Sequence, residues 1–304
     1  MPAATYRNPR VSPDGRQIAV ETVGENGQSS IWVYDAKGGA AMRRLTQDGD
    51  TTRPVWSADG KRIAYGANHV KPQGIFWQLA DGSGLPERLT TTSDEARQDY
   101  PESFSRDGKV LSFARVNAQL GQNAWALWTV RLDGARKPEL FFDLPDSNEF
   151  GSQFSPDGKW IAYASNASPS GDQLTGFAIY LQPYPATGVK YQISQSGGAW
   201  PIWSSGGHEL IYRINSMAAT LGQRLLSVTL TTMPVPTFSA EQTLPIQGFL
   251  PYVNNREYDV FPDGQRFVIV MSAARRDSGT AAVHIDTVLN WTEELKARVP
   301  AKAR

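Results

Sequence analysis

The chain has 304 residues, a formal net charge of zero at pH 7 and no cysteine. This composition excludes disulfides and thiolate chemistry, and the lack of a basic excess argues against a nucleic-acid binder. No run approaches the ~20 apolar residues of a membrane helix, and the N-terminus MPAATYRNPR lacks the apolar core of a secretory signal. We therefore expect no membrane insertion and a chain long enough for one large core.

A nine-residue pattern recurs along the chain and predicts the fold. It reads SPDGRQIAV at 12–20, SADGKRIAY at 57–65, SRDGKVLSF at 105–113 and SPDGKWIAY at 155–163. The segment SSGGHELIY at 204–212 and the residues around Asp263 fit the same frame, and successive copies are 45, 48, 50, 49 and 57 residues apart. A period of about 40–50 residues is that of a four-stranded propeller blade, so six copies predict six blades.

Each copy is predicted to be a tight turn followed by a buried strand. The Asp-Gly and Gly-Gly pairs favour the positive φ of hairpin turns. Large apolar residues stand four and six positions after the Asp, as Ile18 and Val20 do, and a small residue such as Ala19 often lies between them. This spacing puts the large residues on one face of a strand, and the small residue allows a neighbouring blade to approach closely.

The strand before each turn is predicted to be the innermost strand of its blade. Pro9, Pro54 and Pro201 stand three residues before the repeat serine, and Pro101 stands four before its own. Proline donates no hydrogen bond to a sheet and therefore belongs on an edge. An innermost strand is such an edge, because it faces the central channel.

Together these patterns predict an all-β fold, a six-bladed β-propeller of four-stranded antiparallel blades in a single domain that spans 1–304. The predicted blades cover about 7–46, 52–90, 100–143, 149–194, 200–244 and 255–291. A short C-terminal helix is predicted at 292–298, capped by Thr292, with a tail to 304. The long fifth step predicts an elaborated loop within 231–259. Because no fourth strand follows 282–290, we expect a short or missing closing strand and a natural protein that begins upstream of Met1.

No catalytic or cofactor motif accompanies the repeat. The recurring Asp is interpreted as a turn residue rather than a metal ligand, since six turns spread round a ring do not converge on one ion. The three histidines, His69, His208 and His284, fall in different blades and lack metal-ligand spacing. The chain also has no GxSxG nucleophile motif and no phosphate-binding glycine motif. We therefore predict no cofactor and no metal.

The candidate site lies at the mouth of the channel that carries the long loops. These loops enter the innermost strands or join the second strand of a blade to the third, whereas the opposite mouth carries the tight Asp-Gly turns. Arginine and aromatic residues are the usual anchors of a binding surface. The alternative is that these side chains are solvated or form salt bridges between blades. The predicted ligand-binding residues are Arg53, Arg97, Asp99, Glu149, Trp200, Phe249, Tyr252, Arg256 and Glu257.

The repeat also carries a family resemblance. The segments SPDGKWIAYASN, RPVWSADG and the trailing RRLT resemble the WD-like repeats of TolB-like β-propellers, and the closing TVLNWTEEL is similar to the end of propellers fused to bacterial protein kinases or DNA-binding domains. The resemblance covers nearly the whole chain. It implies a module that binds proteins or ligands, often in the periplasm or elsewhere outside the cytoplasm, and it assigns no binding residue by position.

Three functions remain open on the sequence. The first is a non-catalytic module that binds a protein or peptide, or a small ligand, at the loop-rich mouth, as a monomer or as part of a longer multidomain chain. The second is a propeller enzyme of lyase or lactonase type with a metal in the channel, for which Asp99, Glu149 and Glu257 would have to converge. The third is a structural scaffold with no soluble ligand.

Overall fold

The computed structural model describes residues 5–38, 42–92, 97–117, 124–144, 146–167, 176–214, 224–232, 235–247, 255–272 and 283–288. The regular secondary structure of these segments consists of β-strands, which confirms the all-β prediction. None of them forms a helix long and apolar enough to cross a membrane. The helix predicted at 292–298 and the tail to 304 lie outside the described residues.

Four of the six antiparallel sheets have four strands in chain order. The first contains β1 (Thr5–Val11), β2 (Gln17–Val23), β3 (Ser29–Asp35) and β4 (Arg43–Arg44). The second contains β5 (Thr51–Trp56), β6 (Arg62–Ala67), β7 (Gly74–Leu79) and β8 (Glu87–Arg88). The third contains β9 (Arg97–Phe104), β10 (Val110–Asn117), β11 (Ala124–Arg131) and β12 (Pro138–Phe142). The fourth contains β13 (Glu149–Phe154), β14 (Trp160–Ser165), β15 (Ala178–Pro183) and β16 (Tyr191–Gln192).

The last two sheets depart from four strands. The fifth contains β17 (Ala199–Trp203), β18 (Glu209–Arg213), β19 (Arg224–Thr231), β20 (Thr237–Phe238) and β21 (Gln242–Gln247). Both β20 and β21 pair with β19, so the segment predicted as an elaborated loop contributes two short outer strands. The sixth contains β22 (Tyr258–Val260), β23 (Phe267–Ser272) and β24 (Val283–Val288), which are its strands within the described residues.

Apolar clusters between neighbouring sheets hold the propeller together. One joins the first and second sheets, one the second and third, one the third and fourth, and a larger one runs through the fourth, fifth and sixth. The small residues of the repeat lie inside these contacts, since Ala19, Ala64 and Ala162 are fully buried. Burial on both faces explains why the strands after the turns carry so few charges, because each sheet is covered by a neighbour on either side.

The first and sixth sheets close the ring. Tyr6, Val20 and Phe261 belong to one apolar cluster that spans both sheets. The backbone amide of Val11 donates to Oδ2 of Asp259 at 2.8 Å, which fixes β1 against β22 across 248 positions of sequence. The two ends of the described chain are therefore joined by packing and by a buried hydrogen bond to a carboxylate.

The Asp-Gly turns have the structure that the repeat predicts. Ser12 Oγ donates to Asp14 Oδ1 at 2.6 Å, and the amide of Arg16 donates to the same oxygen at 3.0 Å. The same arrangement recurs at Asp59, and Gly15 has a φ of +70°. The aspartate is thus a turn residue, as predicted, and its carboxylate is engaged by its own loop.

Four of the innermost strands share an irregularity four residues before the repeat serine. Asn8, Arg53, Gly151 and Trp200 occupy the same repeat position and all have φ between +49° and +71°. Each lies at a register shift between its strand and the next, so the inner strand is bulged there. The bulge displaces one residue from the regular sheet, and in three of the four cases a proline follows it.

We expect Gly74→Ala to destabilise the second sheet. A methyl group at Gly74, the first residue of β7, would overlap the backbone carbonyl oxygen of Thr90, which cannot move without breaking the outer edge of that sheet. Overpacking of this kind costs about 1–3 kcal/mol. Gly134→Ala is the matched control, because a methyl group there meets nothing within 4 Å. Urea unfolding would check the prediction, and equal midpoints for the two variants would contradict it.

Candidate functional site

The structure places most of the predicted ligand-binding residues inside the molecule. Phe249 and Tyr252 lie outside the described residues, and Arg97 is half-buried at the start of β9. The other six are between 0 and 6% exposed: Arg53, Asp99, Glu149, Trp200, Arg256 and Glu257. They belong to the inner strands or to the residues just before them. That these residues bind a ligand at the loop-rich mouth remains a prediction.

Arg53 is the centre of the contacts on the loop-rich side of the channel. Its guanidinium carbon lies 4.2 Å from the ring centre of Tyr100, 4.9 Å from that of Trp125 and 5.5 Å from that of Trp200. Cations over aromatic faces at such distances are attracted by the ring quadrupole, more strongly when water is excluded. Burial lowers the pKa of Arg53, while the nearby Tyr100 and Glu102 act in the opposite direction.

The rings around Arg53 continue into a cluster of aromatic side chains. Tyr100 stacks on Trp125 with ring centres 5.7 Å apart, and Trp125 meets the edge of Phe150 at 6.0 Å. Phe150 in turn contacts Phe177 at 4.7 Å and Trp200 at 4.8 Å. We call these five residues the aromatic cluster. It brings together the third, fourth and fifth sheets, and two of its members, Trp125 and Phe177, lie at the start of β11 and just before β15.

Part of the aromatic cluster reaches the surface. Tyr100, Trp125 and Phe177 are half-buried, whereas Phe150 and Trp200 are buried. Partly exposed aromatic rings are enriched in interaction sites, and here they lie over the buried Arg53. The aromatic cluster therefore offers partly exposed ring faces on the loop-rich side of the channel.

Two of the predicted acidic residues are held by neighbouring side chains. Asp99 forms a bidentate pair with Arg115, with Nε–Oδ1 at 2.7 Å and Nη2–Oδ2 at 2.8 Å, and it also accepts a hydrogen bond from Thr90. Glu149 accepts hydrogen bonds through Oε1 from Ser147 and, at 2.9 Å, from Ser165. Burial raises the pKa of Glu149 to about 7. These contacts are local, and both carboxylates have structural partners.

Glu257 is the acidic group with the least support. It is fully buried, and neither of its carboxylate oxygens has a hydrogen-bond partner among the described residues. Burial raises its pKa to about 8, Arg213 opposes that shift, and Glu21 adds to it. A buried carboxylate without donors favours its protonated form, because desolvation penalises the charge.

The three acids proposed to converge on a metal do not form a cation site in the described residues. No group of three or more His, Cys, Asp or Glu side chains there could hold an ion. The partners of Asp99 and Glu149 are Arg115 and serines, whereas the charges that act on Glu257 are those of Arg213, Glu21, Arg10 and Arg7. Each carboxylate therefore has its own separate environment.

The sequence missed the aromatic residues that accompany Arg53 and Trp200. Tyr100 and Phe150 occupy the repeat position just before the bulged residue, and Trp125 and Phe177 stand at the start of a third strand. Aromatic residues at these two positions in adjacent copies of the repeat could have predicted the cluster, because both positions lie toward the loop-rich side of the propeller.

Comparisons with known proteins place the chain among propellers. No protein-family model matches it. It is 27% identical over 177 residues to an uncharacterized peptidase, YuxL, of Bacillus subtilis, a match that covers 57% of this chain and 24% of that protein. It is 28% identical over 211 residues to the uncharacterized protein Atu1656 of Agrobacterium fabrum, covering 66% of this chain and 67% of that protein. The chain thus spans about a quarter of the peptidase relative.

Solved structures show the same fold at low identity. A TolB-like protein from Agrobacterium tumefaciens superposes with a TM-score of 0.62 at 16% identity, over 94% of this chain and 91% of that one. TolB from Acinetobacter baumannii gives 0.65 at 18% identity, over 90% and 61%. An oligogalacturonate lyase in complex with manganese gives 0.51 at 11% identity, over 94% and 90%. These likenesses establish a β-propeller whose neighbours include TolB.

We expect the stability of the protein to fall as pH rises from about 5 to 8, in part because of Glu257. Its folded pKa of about 8 lies above the ordinary value of 4.5, so in this window the folded state keeps a proton that the unfolded chain has lost. One such group changes the free energy of unfolding by ~1 kcal/mol per pH unit. The stabilisation is fully present below pH 4.5, the ordinary pKa of the unfolded chain, and it is lost above pH 8, the folded pKa.

The variant Glu257→Gln removes this titration. The free energy of unfolding of the variant, relative to that of the wild type, should therefore rise steadily as the pH increases from 5 to 8. Chemical denaturation at several pH values measures the difference. Glu25→Gln, at an exposed turn, is the control and should follow the wild type. A Glu257→Gln curve parallel to the wild type across the window would contradict the assignment.

Proposed function

We propose that this chain is a six-bladed, TolB-like propeller with WD-like repeats and that it acts as a non-catalytic binding module. It recognises a protein or peptide, or a small ligand, at the loop-rich mouth of the channel. By the resemblance of its repeats, it works on the extracytoplasmic side, as a monomer or as part of a longer multidomain chain.

The observation that carries this proposal is the arrangement of Arg53 beneath a partly exposed set of aromatic rings. Tyr100 and Trp125 stack on each other and cover the guanidinium at 4.2 and 4.9 Å, and both remain half-buried at the mouth. The stack is held from below by buried contacts, so its exposed faces are preorganised. Rigid aromatic anchors lose little conformational entropy when a partner binds.

The comparisons support a binding role without assigning a chemistry. The structural neighbours include TolB proteins, a prolyl endopeptidase and the tricorn protease, so the fold occurs both within and outside enzymes. The contacts of Asp99 and Glu149 are those of structural ion pairs and hydrogen bonds. A module that binds through aromatic and cationic groups accounts for the side chains that the mouth presents.

Trp125→Ala and Arg97→Gln should weaken the binding of peptides selected against the wild-type protein. A random peptide library displayed on phage provides the ligands, and calorimetry with the synthetic peptides measures affinity. Loss of an aromatic anchor should cost at least about tenfold in Kd. Leu140→Ser is the control, because Leu140 is 53% exposed on the outer strand β12. Peptides that bind both mouth variants as well as the wild type would overturn the proposal.

The alternative is a propeller enzyme of lyase or lactonase type with a metal in the channel. It draws support from the manganese-bound lyase among the structural neighbours. We expect the melting temperature of this protein to be unchanged by Ca²⁺ or Mn²⁺, because Asp99 and Glu149 are committed to other partners. A tight ion would stabilise the fold by ~3–4 kcal/mol at 100–1,000 times its Kd. A clear rise in melting temperature that Glu257→Gln abolishes would favour the enzyme.

A further inference from the structure

The channel also opens on the opposite side, among the Asp-Gly turns, where the sequence predicts little of functional interest. A cavity of about 360 Å³ lies there, and all six sheets contribute to its wall. This size is within the range of small-molecule sites. Of the predicted ligand-binding residues that the structure describes, Arg256 lines it. The cavity is therefore a second candidate site, separate from the loop-rich mouth.

The cavity wall carries three arginines, of which Arg10 and Arg256 are buried and Arg106 is exposed, and two carboxylates, Glu102 and Asp259. Arg10 and Arg256 are 7% and 5% exposed, and both line the cavity. Nη2 of Arg256 contacts Oδ1 of Asp259 at 3.1 Å, whereas Nη1 of Arg10 donates to backbone carbonyl oxygens, to Pro9 at 2.7 Å and to Arg256 at 3.4 Å. Nε of each arginine is buried and has no hydrogen-bond partner among the described residues.

The other acidic residue on the wall is not available to these arginines. Glu102 accepts hydrogen bonds from the backbone amides of Gly151 at 2.6 Å and Ser152 at 2.7 Å, and from the Ser152 hydroxyl. Asp259 is shared between Arg256 and the amide of Val11. Burial is the main cause that lowers the pKa of Arg10 well below its ordinary value, and the positive charge of Arg256 is the second. With Arg10, Arg106 and Arg256 against Glu102 and Asp259, the formal charge of the wall is one positive unit in excess.

Aromatic side chains form the walls around these charges. Trp56, Phe104, Phe154 and Trp203 all occupy the repeat position before the serine, and all line the cavity. The indole N–H groups are used inside the protein, from Trp56 to the Arg10 carbonyl at 2.9 Å and from Trp203 to that of Gln153 at 3.1 Å. The rings therefore offer the cavity their apolar surface.

A groove extends the cavity across the turn face. This second space, of about 560 Å³, shares Arg106, Ser155 and Trp203 with the cavity and continues to His208 and Leu230 in the fifth sheet. Together the two spaces suit a ligand with an anionic end and an elongated apolar body.

We propose that the turn-side cavity binds a monoanionic carboxylate with an aromatic or aliphatic body, which Arg10 and Arg256 recognise through its carboxylate. One negative charge offsets the single positive unit in excess on the cavity wall, and planar guanidiniums match the geometry of a carboxylate. The carboxylate belongs either to a free organic acid or to the C-terminus of a peptide. The site lies at the other mouth from the proposed function and does not depend on it.

The test measures binding of two acids, each beside its neutral amide. The free-acid arm compares 4-phenylbutyrate with 4-phenylbutyramide, and the peptide arm compares N-acetyl-Gly-Gly-Leu-Phe with its C-terminal amide. Calorimetry gives Kd, and quenching of tryptophan emission reports contact with Trp56 and Trp203. At least one acid should bind about tenfold or more tightly than its amide, since a charged hydrogen-bonded pair contributes that much. The arm with the lower Kd identifies the source of the carboxylate.

The variants Arg10→Gln and Arg256→Gln should each weaken acid binding by about tenfold or more and leave amide binding unchanged. Arg16→Gln is the matched control, because Arg16 is exposed on a turn of the same face and does not line the cavity. If the buried variants fail to fold, the half-buried rim residue Ala58 provides the test. Ala58→Glu should weaken and Ala58→Lys strengthen acid binding, by about two- to fivefold in opposite directions. Acids that bind no better than amides, or equal affinities for the two Ala58 variants, would overturn the proposal.

Discussion

The structure depends on the contact that closes the ring, because only a closed ring covers both faces of every sheet. The amide of Val11 donates to Asp259, and Asn8 bonds both to Asn255 through its amide nitrogen and to the backbone of Arg256 through its oxygen. These bonds link residues nearly 250 positions apart, so closure loses much chain entropy before it gains contacts. Apolar burial between the first and sixth sheets offsets that cost, and closure forces six inner strands to share one narrow channel.

Convergence of the inner strands explains the strained residues. Asn8, Arg53 and Trp200 hold left-handed backbone conformations that cost of order 1–3 kcal/mol each in non-glycine residues. Each makes contacts outside its own strand that a regular strand residue would not make: Asn8 with Asn255 of the sixth sheet, and Arg53 with the ring of Trp200. The bulge turns one residue per strand toward its neighbours, and the contacts obtained there hold the strain in place.

The repeat allows the architecture to be predicted from the sequence, whereas the contacts of the charged residues could not be predicted in this way. Spacing of Asp-Gly pairs, alternation after them and proline before them predict the strands, the turns and the innermost position, because these are local features. The sequence did not predict the ion pair of Asp99, because its partner Arg115 lies on the next strand and only register brings the two together. The same limit hid the turn-side cavity: its walls come from one repeat position in several sheets, and no single segment shows that their side chains leave space between them.

Buried charges on the two sides of the channel act on one another. Arg10 faces the turn-side cavity, yet the charges that shift its pKa include Arg53 and Glu257, which belong to the loop-rich half. Consecutive residues of the sixth sheet divide in the same way, since Arg256 lines the cavity while the field of Arg213 acts on Glu257. In a buried, weakly screened environment such charges act over longer distances than in water. The buried charges on the two sides of the channel therefore share one electrostatic environment, and each affects how readily the others ionise.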